Sequence, residues 1–223
     1  MRIGPSIMCA DLLNLKSELD HIAEADWLHI DIMDGHLVPN FTFGVEAVQK
    51  IIDYTSLKCE IHLMSDKPFE HVDLFIESKP DLITIHPETM PDPLRVIYKI
   101  KNAGIKAGIA INPSLSLHVL SELIQEADQF IIMGVNPGFI GQPLLKSSLI
   151  KSLHLYNILQ QQNLNQQIIL DGGVKLAHLE DIFSSHVDGV VVGTGIFHQE
   201  VGTEAALKQI QQQARSLHNA LTL

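Results

Sequence analysis

Aromatic residues are scarce in this chain, at 5% of 223 positions with a single Trp. A core of any size must therefore be built from Ile, Leu and Val. Cysteine is nearly absent. Cys9 and Cys59 form neither a CxxC pair nor a disulfide framework, so a reducing, cytoplasmic location is expected. Cations are also short. Fifteen Lys and Arg against 26 Asp and Glu leave a formal charge of −11. That balance argues against nucleic acid or an anionic membrane as partner. It leaves a small anionic substrate open, because backbone N–H groups bind phosphate without a cation. There is no long apolar span, no low-complexity tract and no leader-like segment. No GxGxxG follows the first strand, which weighs against a doubly wound dinucleotide-binding sheet.

What the chain does have is concentrated at Trp27-Leu28-His29-Ile30-Asp31-Ile32-Met33-Asp34-Gly35. As a strand, this stretch puts Leu28, Ile30 and Ile32 on one face and Trp27, His29, Asp31 and Met33 on the other. Residues 58–64 divide in the same way, with Glu60, His62 and Met64 sharing a face. An Asp also recurs just before an apolar strand, at Asp26, Asp81, Asp128 and Asp188. Each interval has room for two βα units. The full pattern predicts strands near 3–8, 27–33, 58–64, 82–86, 106–111, 129–133, 167–171 and 189–192. Helices are predicted from 11 and from 93, and over 44–54, 68–78, 116–127, 146–162, 175–185 and 203–218. Strict alternation with eight strands predicts one (β/α)8 TIM barrel over residues 1–223.

In such a barrel the active site lies at the C-terminal ends of the strands. His29 and Asp31 on strand two, His62 on strand three and Asp171 on strand seven all fall there. Two imidazoles and two carboxylates form a borderline donor set that suits one divalent Zn, Fe(II), Mn or Co ion. Glycine-bearing turns follow strand six (Gly138, Gly141), strand seven (Gly172, Gly173) and strand eight (Gly193, before Thr194). The last two are where this fold commonly grips a phosphate. A metal, two opposed carboxylates and a phosphate grip describe proton transfer next to a ketone. Asp31 can take the proton on one face, and Asp171 can return one on the other. Met33, Met64 and Met133 can wall off the intermediate or simply fill the core.

The run 29–40, His-Ile-Asp-Ile-Met-Asp-Gly-His-Leu-Val-Pro-Asn, resembles the signature of the ribulose-phosphate 3-epimerases. So do Ile3-Gly4-Pro5-Ser6-Ile7, His62-Leu63-Met64, Val135-Asn136-Pro137-Gly138-Phe139, Leu170-Asp171-Gly172-Gly173-Val174 and Val192-Gly193-Thr194. The resemblance implies a phosphate-binding barrel with one divalent metal held by His29, Asp31, His62 and Asp171. Asp31 and Asp171 would double as the acid–base pair. Ser6 and His62 would touch the substrate, and Gly138, Phe139, Ile140 and Gly141 would form a lid. Gly172, Gly173, Gly193 and Thr194 would hold the phosphate. It also implies a ketose phosphate substrate, a place in the pentose phosphate pathway, and a homo-oligomer, dimer or hexamer.

D-ribulose 5-phosphate is the expected substrate, with D-xylulose 5-phosphate as product. Ile140 in the lid and Thr194 after strand eight depart from the commoner pattern and look more like the branch acting on D-allulose 6-phosphate. Two other chemistries fit less well. A decarboxylase would pair Asp with Lys at a strand end, where this chain has Met33 and Met64. A barrel metallohydrolase would more often carry an early His-x-His. A barrel that only binds sugar phosphate is the non-enzymatic alternative. Glu60 and His86 have no role that the sequence names.

Overall fold

Seven runs carrying Ile, Val or Leu and the short segment Arg2–Pro5 become eight parallel strands, because such side chains fit a pleated sheet buried on both faces. They are β1 (Arg2–Pro5), β2 (Leu28–Met33), β3 (Cys59–Met64), β4 (Leu82–Ile85), β5 (Lys106–Ile111), β6 (Gln129–Met133), β7 (Gln167–Asp171) and β8 (Gly189–Val192). The computed structural model describes residues 1–221, with side chains through residue 217. The strand order is β1-β8-β7-β6-β5-β4-β3-β2, so each strand lies beside its sequence neighbours. Between β1 and β2 the barrel is closed by an isolated parallel bridge, Ser6 to His29. This is the expected (β/α)8 barrel.

Side-chain parity sorts the core into two parts. Leu28, Ile30, Ile32, Ile61 and Leu63 face outward and join helix residues such as Val48, Ile51, Val72 and Phe75 in one large cluster. Each such side chain, fully buried, contributes about 1.5–3 kcal/mol. Trp27, Ala110, Ile131, Met133, Ile169 and Val191 form a separate plug inside the barrel. The plug depends on Gly4, where a Cβ would lie 2.1 Å from the Trp27 indole.

The outer ring is α1 (Leu15–His21), α2 (Val45–Tyr54), α3 (Pro68–Ile76), α4 (Pro93–Asn102), α5 (Lys146–Gln161), α6 (Leu179–Phe183), α7 (Thr194–Phe197) and α8 (Thr203–Leu221). Four expectations need correction. The first strand ends at Pro5 and gives way to a 3-10 turn, Ile7–Cys9. The first helix begins as a 3-10 turn, Leu12–Asn14, capped by Asp11, whose carboxylate accepts from Leu13 N–H at 3.0 Å. The helix expected over 175–185 divides into a 3-10 turn, Leu176–His178, and the short α6. The helix expected over 116–127 is a 3-10 turn, Leu117–Leu120, followed by further turns. Here Lys151 Nζ donates to the carbonyls of Asn112, Pro113 and Leu115 at 2.9, 2.7 and 2.7 Å. That grip fixes an irregular approach to the segment. Leu120, Leu123 and Ile124 are nonetheless buried, so its apolar spacing is satisfied without a continuous helix.

The recurring Asp has a structural basis. Asp26, Asp81, Asp128 and Asp188 each accept, through Oδ2, the backbone N–H of Ile3, Cys59, Ala107 and Ile168, at 2.7, 2.9, 2.9 and 2.8 Å. The backbone N–H of each Asp returns a bond to the carbonyl of the same residue. One reciprocal clamp thus ties the start of every odd-numbered strand to the even-numbered strand that follows it. The clamps sit at the N-terminal end of the barrel and leave the opposite end free for chemistry.

Candidate active site

The β2–β3 register sets Asp31 directly opposite His62, and His29 opposite Glu60. Asp171 ends β7 on the far side of the barrel. His62 Nδ1 lies 3.2 Å from Asp31 Oδ1 and 3.3 Å from Asp171 Oδ2. His29 Nε2 lies 3.3 Å from Asp31 Oδ1 and 3.7 Å from Asp171 Oδ2. One donor atom from each of the four buried residues falls within 4.8 Å of the other three. The cluster read from the sequence is therefore brought together in space.

The donor set fits a divalent ion. His29 Nε2 is buried and makes no hydrogen bond, although carboxylate oxygens lie close by. A buried polar atom without a partner carries a cost that a bound ion removes. Burial disfavours a charge on His29, but Asp31 and Glu60 outweigh it and hold its pKa well above the ordinary value. Burial likewise opposes a charge on His62, and Asp171 and Asp31 push its pKa up to about 9. For Asp31, burial is overcome by the two imidazoles, which lower its pKa. The carboxylates thus demand positive charge at this point, and a metal ion would supply it in place of protons. A second group, Asp34, His36 and Asp66, is more open to solvent. The Asp34 carboxylate there accepts the N–H groups of His36, Leu37 and Asp66.

Two groups that the sequence left without a role belong to this site. Glu60 sits one tier below His62, and its two oxygens accept from four donors. These are Trp27 Nε1 at 3.1 Å, His29 Nδ1 at 3.2 Å, Thr84 Oγ1 at 2.8 Å and Gln129 Nε2 at 2.6 Å. Burial opposes its charge, and His29 and Thr84 still hold its pKa down. His86 follows β4, with its Nε2 2.9 Å from His62 Nε2.

Above the cluster is a cleft of about 620 Å³, counted to its open mouth. Ser6, Met33, Met64, Met133, Gly138, Phe139, Ile140, Gly141, Gly172, Gly173, Gly193 and Thr194 all line it, as do Asp31 and Asp171. His29 and His62 are fully buried beneath it. Met8 and Lys175 also line it without having been given a place in the site, as do Asn136 and Gln142 from the turn after β6. Met33 and Met64 pack with Val38. Ser6 Oγ donates to Asp31 Oδ2 at 2.5 Å. The segment after β6 is held from two sides. Gln142 Nε2 donates to the carbonyls of Asn136 and Phe139, and Asn40 Nδ2 donates to that of Gly138. Phe139 and Ile140 remain exposed at the rim. Gly173 has φ +71°, and a Cβ there would lie 2.6 Å from the Leu144 backbone, so only glycine fits this turn.

The model of the ribulose-phosphate 3 epimerase family matches residues 2–197. A ribulose-phosphate 3-epimerase of Helicobacter pylori is 34% identical over 97% of this chain and 100% of its own length. A protein of the same name from Mycobacterium tuberculosis is 33% identical over 98% of this chain and 96% of its own. The solved structure of 3-hexulose-6-phosphate synthase from Salmonella typhimurium superposes with a TM-score of 0.68 at 17% identity. It covers 98% of this chain and 100% of its own, a likeness of fold.

Proposed function

We infer from the chain's membership of the ribulose-phosphate 3 epimerase family that it interconverts D-ribulose 5-phosphate and D-xylulose 5-phosphate by inverting C3. Two carboxylates from separate strands carry the reading. Asp31 and Asp171 converge on His62 Nδ1 at 3.2 and 3.3 Å. Inversion needs a base on one face of the carbon and an acid on the other, and this pair supplies both.

His29, Asp31, His62 and Asp171 would hold one divalent ion, and their nitrogen and oxygen donors suit Zn, Fe(II), Mn or Co. Such an ion supplies electrostatic stabilisation for the negative charge that develops on the ketose oxygens. The chain's own residues do the rest. One Asp removes the C3 proton to give an enediolate, and the other delivers a proton from the opposite face. Ser6 adjusts Asp31 through its hydrogen bond. Gly172, Gly173, Gly193 and Thr194 offer backbone and hydroxyl groups to the phosphate. The Gly138–Gly141 segment with Phe139 and Ile140 covers the sugar, and Met33, Met64 and Met133 keep water from the intermediate. We further propose cytoplasmic location and a homo-oligomer, dimer or hexamer, the latter testable by light scattering.

The deciding experiment is proton NMR in D₂O, with metal-loaded protein and D-ribulose 5-phosphate and D-allulose 6-phosphate offered together. Faster deuterium entry at C3 of the pentulose is expected. Faster entry into the hexulose would transfer the activity to the D-allulose 6-phosphate branch and give Ile140 and Thr194 a part in selecting the substrate. No exchange into either would leave a barrel that only binds sugar phosphate.

A further inference from the structure

We infer that His86 and Glu88 are positioning residues of the metal centre: together they fix a proton on His62 Nε2, so that Nδ1, which faces Asp31 and Asp171, is the nitrogen that binds the ion. The inference rests on reading the four clustered side chains as metal ligands, and it concerns two residues outside that set.

The argument is a proton count along one chain of contacts. Glu88 Oε1 lies 3.2 Å from His86 Nδ1 and also accepts from Asn112 Nδ2. A carboxylate only accepts, so the proton belongs to His86 Nδ1. A neutral His86 then has a bare Nε2. That atom is 2.9 Å from His62 Nε2, and one proton must lie between the two nitrogens. It therefore belongs to His62 Nε2, which leaves Nδ1 as the nitrogen where a proton gives its place to a bound ion. That nitrogen faces the two carboxylates.

The ring geometry agrees. The two imidazole planes differ by 18° and their centres are 5.1 Å apart. With nitrogens 2.9 Å apart, these rings meet edge to edge in line and are not stacked face on face. The opposite proton order would require His86 to donate from both nitrogens and so be a cation. His86 is fully buried, and a charged imidazole there would carry a large desolvation cost. His29 shows the same logic in shorter form. Glu60 accepts from its Nδ1 and leaves Nε2, which has no hydrogen-bond partner, as the nitrogen toward the cluster. Each ligating imidazole is thus oriented by a carboxylate on its far side, directly for His29 and through a second imidazole for His62.

The test compares zinc affinity, by chelator competition, for the wild type, His86→Leu, His86→Gln and Glu88→Gln, alongside ¹⁵N NMR of the His62 ring in the zinc-loaded wild type. His86→Leu should lower affinity by roughly 10–100-fold, the usual range for an outer-shell partner. His86→Gln, whose amide carbonyl can accept the His62 proton, should recover most of that loss. Glu88→Gln should fall between the wild type and His86→Leu. The NMR should show hydrogen on Nε2 and none on Nδ1. Wild-type affinity in both His86→Leu and Glu88→Gln would overturn the inference, as would a protonated Nδ1 in the loaded protein. If His86→Leu does not fold, Glu88→Gln and the wild-type NMR decide. Zinc binding that follows this order without C3 exchange would sink the epimerase reading and leave the inference standing. A wild type that binds no divalent metal would remove both its premise and the metal-dependent mechanism.

Discussion

Ser6 and Asp31 meet at the seam of the barrel. The Ser6 hydroxyl donates to Asp31 Oδ2 at 2.5 Å, and Ser6 pairs with His29 in the bridge that closes β1 onto β2. The residue that follows β1 and closes the barrel thereby also holds one oxygen of a proposed base, leaving Oδ1 facing the two imidazoles. A hydrogen bond to an ionised carboxylate is worth about 1.5–3 kcal/mol. Ser6→Ala should lower kcat/KM on ribulose phosphate by roughly tenfold or more, with zinc affinity changed much less. Steady-state kinetics and chelator competition on the same variant separate the two effects. Equal losses in both would mean that Ser6 supports the metal centre and not the proton transfer.

Asp171 approaches the same imidazoles from β7, across the barrel from Asp31. If the two carboxylates serve opposite faces of C3, removing the charge of one should stop inversion while the other face stays active. Asp171→Asn should lose net epimerisation by more than about a thousandfold, in line with removal of an essential acid–base group. Solvent deuterium washing into one epimer of the substrate, measured by NMR, would identify the face that Asp31 serves. Turnover near the wild-type rate would remove Asp171 from the acid–base pair.

Chain parity made much of this site legible in the sequence. A strand alternates its side chains between faces whatever surrounds it, so His29 and Asp31, and likewise Glu60 and His62, had to share a face. What could not be read was which groups would meet that face from elsewhere. The donors to Glu60 are Trp27 just before β2, His29 on β2, Thr84 on β4 and Gln129 on β6. His86 gains a role only because β3 and β4 are neighbours and Glu88 turns back toward it. The segment after β5 failed for a related reason. Its apolar spacing suits a helix, but Lys151, far along the chain, sets its path.

The Asp clamps were visible as a repeat, and the structure gives the repeat an energy. Each clamp satisfies a strand-starting N–H that would otherwise be left at the closed end of the barrel. Replacing Asp26, Asp81, Asp128 or Asp188 by Ala should cost about 1–3 kcal/mol each, the range for losing a hydrogen bond to a charged group. Urea unfolding followed by circular dichroism measures this. Activity per folded molecule should hold, because the clamps lie at the end of the barrel away from the cleft. A variant that keeps its stability but loses activity would contradict that division.

Asp34 links the loops that follow β2 and β3, and its charge makes the link sensitive to acid. Its carboxylate accepts the N–H groups of His36 and Leu37 at 2.8 and 3.0 Å and that of Asp66 at 2.9 Å. Partial burial alone would raise its pKa. The three N–H donors outweigh that effect and lower it to about 2. A carboxylate with a depressed folded-state pKa stabilises the fold at pH values above its unfolded-state pKa. That contribution is lost as pH falls from near 3.8 through about 2. Asp34→Asn keeps one acceptor oxygen but removes the charge, so its stability should not carry this acid-dependent part. The difference in urea stability between wild type and Asp34→Asn should be full at about pH 6 and shrink toward zero near pH 2. Comparing the two proteins at each pH cancels the titration of the other carboxylates. A difference that stays constant across that range would show that Asp34 holds the loops through geometry alone, with no contribution from its charge.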